Sequence, residues 1–183
     1  LGALRTGGAH EAWIAARKGR CCRFNEEEVR AIGRSGSGVR GINIDEDDEV
    51  VGAISANPNA EDAAAHTVLV VSENGYGKRS DPDEYRLTSR GAKGVKTINI
   101  TEKTGPLVAI KSVTEENDLM IITKSGLTIR MAVSDIRVAG RATQGVRLIN
   151  IREGDAIAAV SPVAKAEEEL PEDAPEAETG VTE

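Results

Sequence analysis

Hydrophobic positions along the 183-residue chain come in short runs of four to eight residues rather than at helical spacing, and the runs recur in the same order three times. Each unit opens with an apolar run, "AWIAAR", "TVLVVS" or "DLMIIT", followed by a turn pair, Lys18-Gly19, Asn74-Gly75 or Ser125-Gly126, and then a second strand-like run. Runs of this length, bounded by turn residues, are the pattern of strands. The Asn74-Gly75 pair predicts a two-residue hairpin of type I′, which needs positive φ at both central positions. Further on stand "GVRGINI" from Gly38, "GVKTINI" from Gly94 and "GVRLINI" from Gly145, at intervals of 56 and 51 residues. A fourth apolar run, "EVVGAI", "PLVAIKSV" or "DAIAAVSP", closes each unit.

The repeat has a second fixed point, because each turn glycine precedes its "GV" glycine by 19 residues. Four short strands per unit predict an all-β fold of blades, each a four-stranded antiparallel sheet. Such a sheet cannot hide both of its faces, so blades must stack side by side, as in propellers and related arrays. The expected division is a blade over 12–57, a linker over 58–66, blades over 67–113 and 118–162, and an acidic tail, disordered by composition, over 163–183. Within the "INI" runs, Asn43, Asn99 and Asn150 are expected to be buried and to bond backbone of the adjoining blade. The first residue is Leu1 rather than methionine, and three blades leave an open edge, so a piece of a longer chain is the expectation.

Charge changes the picture more than composition does. The formal net charge is −7, yet residues 165–183 hold eight acids against one base, and the rest balances at 22 of each. Basic residues recur in register, counted from the turn glycine. Arg23, Arg79 and Arg130 stand at +4; Arg30, Arg86 and Arg137 at +11; Arg34, Arg90 and Arg141 at +15; Arg40, Lys96 and Arg147 at +21. Lys93 lies in the same glycine-rich stretch as Arg90. No acidic position stands out in the same way. Arg23 and Arg130 are opposite in parity to their apolar neighbours, so they are expected to point away from the core. The alternative is that the arginines cap strands or pair with acids between blades.

Side-by-side blades would draw these positions into a curved basic band, which suits duplex phosphates. Aromatic residues are only 2% of the chain, which disfavours base stacking and therefore single-strand or RNA-loop binding. Arg79, Arg90, Arg130 and Arg141 are expected to contribute additively to duplex binding. A protein-interaction scaffold with no DNA role is the rival reading. The glycine-rich segments "GRSGSGVRG", "SRGAKGVK" and "GRATQGVR" fail as Walker loops, since a strand rather than a helix follows each. Adjacent Cys21 and Cys22 have no metal or disulfide spacing, and His10 and His66 stand in no catalytic or metal pattern. No run approaches the roughly 18 apolar residues of a membrane span, and no signal peptide opens the sequence, so a cytoplasmic setting without a membrane partner is the default.

The unit "RFNEEEVRAIGRSGSGVRGINI" and its two echoes resemble the C-terminal domain of the DNA gyrase A subunit; they are similar, nearly as much, to that of its counterpart in topoisomerase IV. The resemblance covers roughly residues 12–162. It implies a β-pinwheel, a propeller-like disc of six such repeats whose basic perimeter wraps duplex DNA, of which three repeats are present here. It also implies a parent type IIA topoisomerase that uses ATP on a partner B subunit, in a heterotetramer, with a catalytic tyrosine and magnesium in the remainder of the A subunit. None of those catalytic parts is in this sequence, so no cofactor is expected here. The glycine-and-arginine wrapping box of the family's first blade is represented only by a degenerate echo, "SRGAKG".

The segregated tail generates a first prediction. A coil of 19 residues spans on the order of 25 Å and places its acids at about millimolar effective concentration beside the neighbouring basic positions. Removal of residues 165–183 is expected to tighten duplex binding in a titration at low salt, with the gain fading as ionic strength rises. Equal affinity of the two proteins at low salt would leave the tail as a solubilising segment.

Overall fold

The computed structural model describes residues 2–165. Among these there is no α-helix; the chain forms short strands joined by turns and brief 3-10 segments. In repeat one, β1 (Glu11–Ala16) and β2 (Arg20–Asn25) form a hairpin, and β3 (Val50–Ala56) pairs with the other side of β1. Repeat two contributes β4 (Thr67–Ser72), β5 (Tyr76–Ser80), β6 (Val95–Lys96) and β7 (Leu107–Val113). Repeat three contributes β8 (Asn117–Thr123), β9 (Thr128–Ala132), β10 (Val146–Arg147) and β11 (Ile157–Ala164).

The sheets do not coincide with the sequence repeats. Their orders are β3-β1-β2-β6, β10-β5-β4-β7 and β11-β8-β9. The "GV" strand of repeat two thus completes the sheet of repeat one, pairing Lys96 with Arg20 and Val95 with Cys21. The "GV" strand of repeat three completes the second sheet, pairing Arg147 with Tyr76 and Val146 with Gly77. A blade is therefore not a contiguous stretch such as 12–57 or 67–113: its fourth strand comes from the next repeat. The expectation of a tail from residue 163 is corrected at its start, because Val163 and Ala164 end β11. The remainder of that expectation, residues 166–183, lies outside the described residues.

Glycine makes the exchange sterically possible. A Cβ on Gly94 would sit 2.3 Å from the Cys21 carbonyl oxygen, and one on Gly145 would sit 2.5 Å from that of Gly77. Both have positive φ, which a residue with a side chain adopts at a cost. The following isoleucines then pack between blades. Ile98 joins Trp13, Cys21, Tyr85, Leu107 and Ile110 between the first and second sheets, and Ile149 joins Leu69, Val71, Leu119 and Ile121 between the second and third.

The hairpins have three-residue loops, not the two-residue type I′ form expected at Asn74-Gly75. Gly19, Gly75 and Gly126 each donate an N–H three residues back, to Ala16, Ser72 and Thr123, and hold φ between 83° and 89°. A turn followed by a left-handed glycine is the three-residue alternative to type I′, and it places the glycine last. Asn74 instead uses its amide to donate to the carbonyls of Glu102 and Lys103. The "INI" asparagines are also not buried side chains. Their backbone N–H groups bridge repeats, Asn43 to the Ala92 carbonyl and Asn99 to that of Thr143. Their side chains turn outward, where Asn99 and Asn150 accept from Lys96 and Arg147 three residues earlier.

The turn glycines offer a controlled test of the packing between repeats. Gly75 and Gly126 have nearly the same φ, but a Cβ on Gly75 would meet the Ile149 carbonyl oxygen at 2.7 Å while one on Gly126 meets nothing within 4 Å. Gly75→Ala is expected to cost about 1–3 kcal/mol more than Gly126→Ala in urea unfolding, the excess reporting the close approach alone.

Candidate nucleic-acid interface

The four families of basic residues fall into different environments. At +4, Arg23 and Arg79 are drawn inward. Arg79 is only 4% exposed; its Nε donates to the Ile136 carbonyl at 2.7 Å and its guanidinium lies 3.4 Å from Glu115. Arg23 donates through Nε to Glu11 at 2.7 Å and through Nη1 to the carbonyls of Pro82 and Tyr85, both at 2.8 Å, and stacks over Trp13. Each is a staple from one blade to the next repeat. Arg130, in the last described repeat, pairs with Asp118 at 2.7 Å and the Ala164 carbonyl at 2.9 Å, its side chain 42% exposed. The expectation that parity turns Arg23 away from the core is overturned, and Arg79 at the equivalent position is buried. All five residues of β5 are buried because both of its faces are covered, so opposite parity there means a different neighbour, not solvent.

At +15 the side chains lock one repeat's loop onto the preceding repeat. Arg90 donates through its backbone N–H to the Glu28 carboxylate at 2.8 Å, through Nε to the Glu28 carbonyl at 3.0 Å and through Nη1 to the Arg40 carbonyl at 2.6 Å. Arg141 repeats this on the Glu84 carboxylate, the Glu84 carbonyl and the Lys96 carbonyl, at 2.6, 2.9 and 2.5 Å. Arg34, in the first repeat of this sequence, is exposed. An acidic position does therefore recur, at +9, as Glu28, Glu84 and Asp135, against the expectation that none stands out. Its matching contact, the +15 backbone of the following repeat, was the signal available in the sequence.

The remaining basic residues face outward. Arg30, Arg86 and Arg137 at +11 are exposed and make no side-chain hydrogen bond or ion pair among the described residues; Arg40 and Lys93 are exposed likewise. Lys96 reaches Asn99 only at 3.5 Å. Arg147 lies over the Tyr76 ring, 5.4 Å from its centroid, with Nη2 2.9 Å from the phenol oxygen, and this guanidinium lowers the phenol's pKa. Apart from Lys96 and Arg147, which end the short strands β6 and β10, the outward set sits on the loops 29–41, 86–94 and 137–145. Leu87 and Val138, about half exposed, directly follow Arg86 and Arg137, an apolar companion that basic periodicity alone does not reveal.

One buried cation was missed from the sequence. Lys78 is fully buried, and its Nζ donates to Ser80 Oγ at 3.0 Å and to the carbonyls of Gly140 and Arg141 at 2.9 and 2.6 Å. It anchors the third basic loop on the second blade. Burial lowers its pKa from 10.5 to about 8, with Glu84 opposing and Arg141 assisting the shift. The thiols of Cys21 and Cys22 are free and buried, and burial raises the pKa of Cys21. Among the described residues no group of three or more His, Cys, Asp or Glu could hold a metal ion, and no helix is long and apolar enough to cross a membrane.

Lys78 generates a pH prediction. Between its folded pKa, about 8, and the unfolded 10.5, the unfolded chain binds more protons, so this group makes stability rise with pH across that window. Relative to Lys78→Met, the wild type is expected to gain about 1–3 kcal/mol from below pH 8 to about pH 10.5, read as the difference between two melting series. Parallel series would show that the ammonium is not desolvated.

With this geometry in place, comparison with known proteins is direct. The family model described as DNA gyrase C-terminal domain, beta-propeller, matches residues 14–57, 66–114 and 117–164. The DNA gyrase A subunit of Staphylococcus aureus (strain NCTC 8325 / PS 47) is 46% identical over 169 residues, 92% of this chain and 19% of the relative. That of strain MRSA252 is 45% identical over 178 residues, 97% of this chain and 19% of the relative. This chain thus spans about a fifth of the length of these curated relatives. A solved structure of the DNA gyrase A C-terminal domain superposes with a TM-score of 0.75 at 26% identity, over 84% of this chain and 50% of that one. The C-terminal domain of DNA topoisomerase IV shares the fold, with a TM-score of 0.77 at 20% identity over 86% and 47% of the two chains. With three strand-exchanged repeats, each matched by that family model, the chain belongs to the DNA gyrase C-terminal domain β-propeller family.

Proposed function

We propose that this chain is a DNA-wrapping module of a type IIA topoisomerase of the gyrase kind, binding duplex DNA through phosphate contacts and doing no bond chemistry itself. The observation that carries the reading is the +11 set. Arg30, Arg86 and Arg137 recur once per repeat, are exposed, and have no side-chain partner among the described residues. Arg34, Arg40 and Lys93 lie on the same loops, and Lys96 and Arg147, at the ends of β6 and β10, extend the surface. Blade-to-blade repetition sets such groups at regular intervals, which suits a bent duplex held by its backbone without sequence preference. Arg23, Arg79, Arg90 and Arg141 act through the fold, by fixing the loops that carry the outward set, and Arg130 stays half available beside Asp118.

The similarity to gyrase A at 46% identity favours gyrase over topoisomerase IV, whose solved domain supports the fold alone. In this reading the module works in the cytoplasm, joined to the remainder of a gyrase A chain, which assembles with an ATPase B subunit in a heterotetramer. ATP and magnesium would serve the parts of that assembly outside this chain. The residues here do not fit them: the glycine-rich loops lead into strands, and no carboxylate cluster of metal-ligand size exists among the described residues.

The decisive measurement is a salt series with linear duplex. The triple variant Arg30→Ala, Arg86→Ala, Arg137→Ala is expected to weaken binding at low salt and to flatten the log-log salt dependence by about one unit for each phosphate no longer neutralised. Its thermal stability should stay near wild type, whereas Arg79→Ala should lower stability. An unchanged affinity and slope in the triple variant would favour the scaffold reading. Wrapping is checked separately, by the linking-number change left when a bound, nicked plasmid is resealed and stripped of protein.

A further inference from the structure

Beside the turn of the second hairpin lies a cavity of about 300 Å³, walled in part by Asn74, Tyr76, Lys103, Arg147, Asn150 and Arg152. That is roughly ten times the share of one liquid water, room for a polyatomic anion and part of its hydration shell. Tyr76 is only 5% exposed, yet cations surround its phenol. Arg147 gives the phenol oxygen two bonds, from Nε at 3.2 Å and Nη2 at 2.9 Å, and Lys103 Nζ lies 5.5 Å from the ring centroid. A guanidinium can only donate, so the phenol oxygen accepts in both bonds. Its own O–H hydrogen has no acceptor among the described residues. A buried hydroxyl hydrogen left unmet costs free energy, and here it can be met from the cavity that the ring lines.

The surrounding bonds hold the cations in place. Asn74 Nδ2 donates to the carbonyls of Glu102 and Lys103, which fixes the loop that carries Lys103, and Asn150 accepts from Arg147 Nη1 at 3.1 Å. Arg152 is exposed, and its side chain has no partner among the described residues. Against these three cations stand Glu153 and Asp155. Asp155 is already committed to the N–H groups of Ser125 and Ala156 and to the Ser125 hydroxyl, at 3.0, 2.8 and 2.6 Å. The arrangement is not repeated in the first sheet, where the matching positions hold Arg20, Asp47, Lys96 and Thr101, and where Asp47 pairs with Lys18. We propose that the cavity is a phosphate-binding site, in which Lys103, Arg147 and Arg152 neutralise the anion and the Tyr76 O–H donates to one of its oxygens. Donors on four side chains suit phosphate better than a carboxylate, which offers two oxygens and a single charge. The phosphate is a free one or belongs to a duplex backbone; the first case is independent of the DNA-wrapping reading and the second rests on it.

Phosphorus NMR of inorganic phosphate, titrated with the 183-residue chain at neutral pH and constant ionic strength, tests the proposal. Saturable broadening of the phosphate line is expected. The double variant Lys103→Ala, Arg152→Ala changes two exposed side chains, so the fold should persist, while the dissociation constant for phosphate should rise about tenfold or more. Tyr76→Phe keeps the ring and removes only the hydroxyl, and should weaken binding about threefold or more. Arg5→Ala removes one charge elsewhere and should leave the broadening unchanged. Circular dichroism and melting confirm folding of each variant. Linear duplex then separates the sources. Loss of the broadening as duplex is added, with a flatter salt dependence of duplex binding in the double variant, assigns the site to a backbone phosphate; broadening that persists under saturating duplex assigns it to a free one. A chain that binds phosphate but no duplex overturns the DNA-wrapping reading and leaves the site standing. Absence of broadening with wild type overturns the proposal. So does broadening that survives the double variant or Tyr76→Phe, or that Arg5→Ala reduces as much as the double variant does.

Discussion

The close approach of one repeat's backbone to the hairpin of the repeat before it is the constraint on which the rest of the structure depends. Gly94 and Gly145 lie where no side chain fits, against the carbonyls of Cys21 and Gly77. That contact lets a two-residue strand, too short to persist alone, finish a neighbour's sheet and close its polar edge. Because the first and second sheets each contain residues from two repeats, these blades cannot separate without breaking strand pairing. The isoleucines that follow are carried into the space between sheets, and the three turns are joined in series, Arg17 and Lys124 both reaching Glu73.

The same interlocking decides which cations are available to a ligand. A buried guanidinium is tolerable only when its donors are satisfied and its charge is met. Arg79 satisfies this with the Ile136 carbonyl and Glu115, and Arg23 with Glu11 and two carbonyls. Lys78 lacks a direct carboxylate partner and relies on three oxygen acceptors, and its lowered pKa reflects the cost. Such groups make the loops rigid rather than sticky. The loops of the second and third repeats then present Arg86 and Arg137 outward, on backbone held by their neighbours, so little ordering entropy remains to be lost there when phosphates bind.

Much of this was legible in advance, for reasons that can be traced to particular residues. Period-two patterning and turn glycines located the hairpins at Gly19, Gly75 and Gly126, because strand alternation and left-handed backbone are local properties. Parity failed at Arg23 because it separates two faces without saying which face meets solvent. The "INI" asparagines were misassigned for a related reason: the bridging hydrogen bonds are made by their backbone N–H groups, which every residue but proline possesses. The acids at +9 escaped notice because Glu28 and Glu84 matter through contacts with residues 57 to 62 positions away.

By itself the sequence determined the number of repeats, the strand class, the positions of the turns and the family, since all of these are written in residue type and spacing. Only the tertiary structure decided which repeat completes which sheet, and which arginines are staples and which are open to a ligand. Those outcomes depend on the distance between segments remote along the chain. A basic side chain is free or committed according to the carbonyls and carboxylates that packing brings within about 3 Å of it, and a list of residue types contains no such distances.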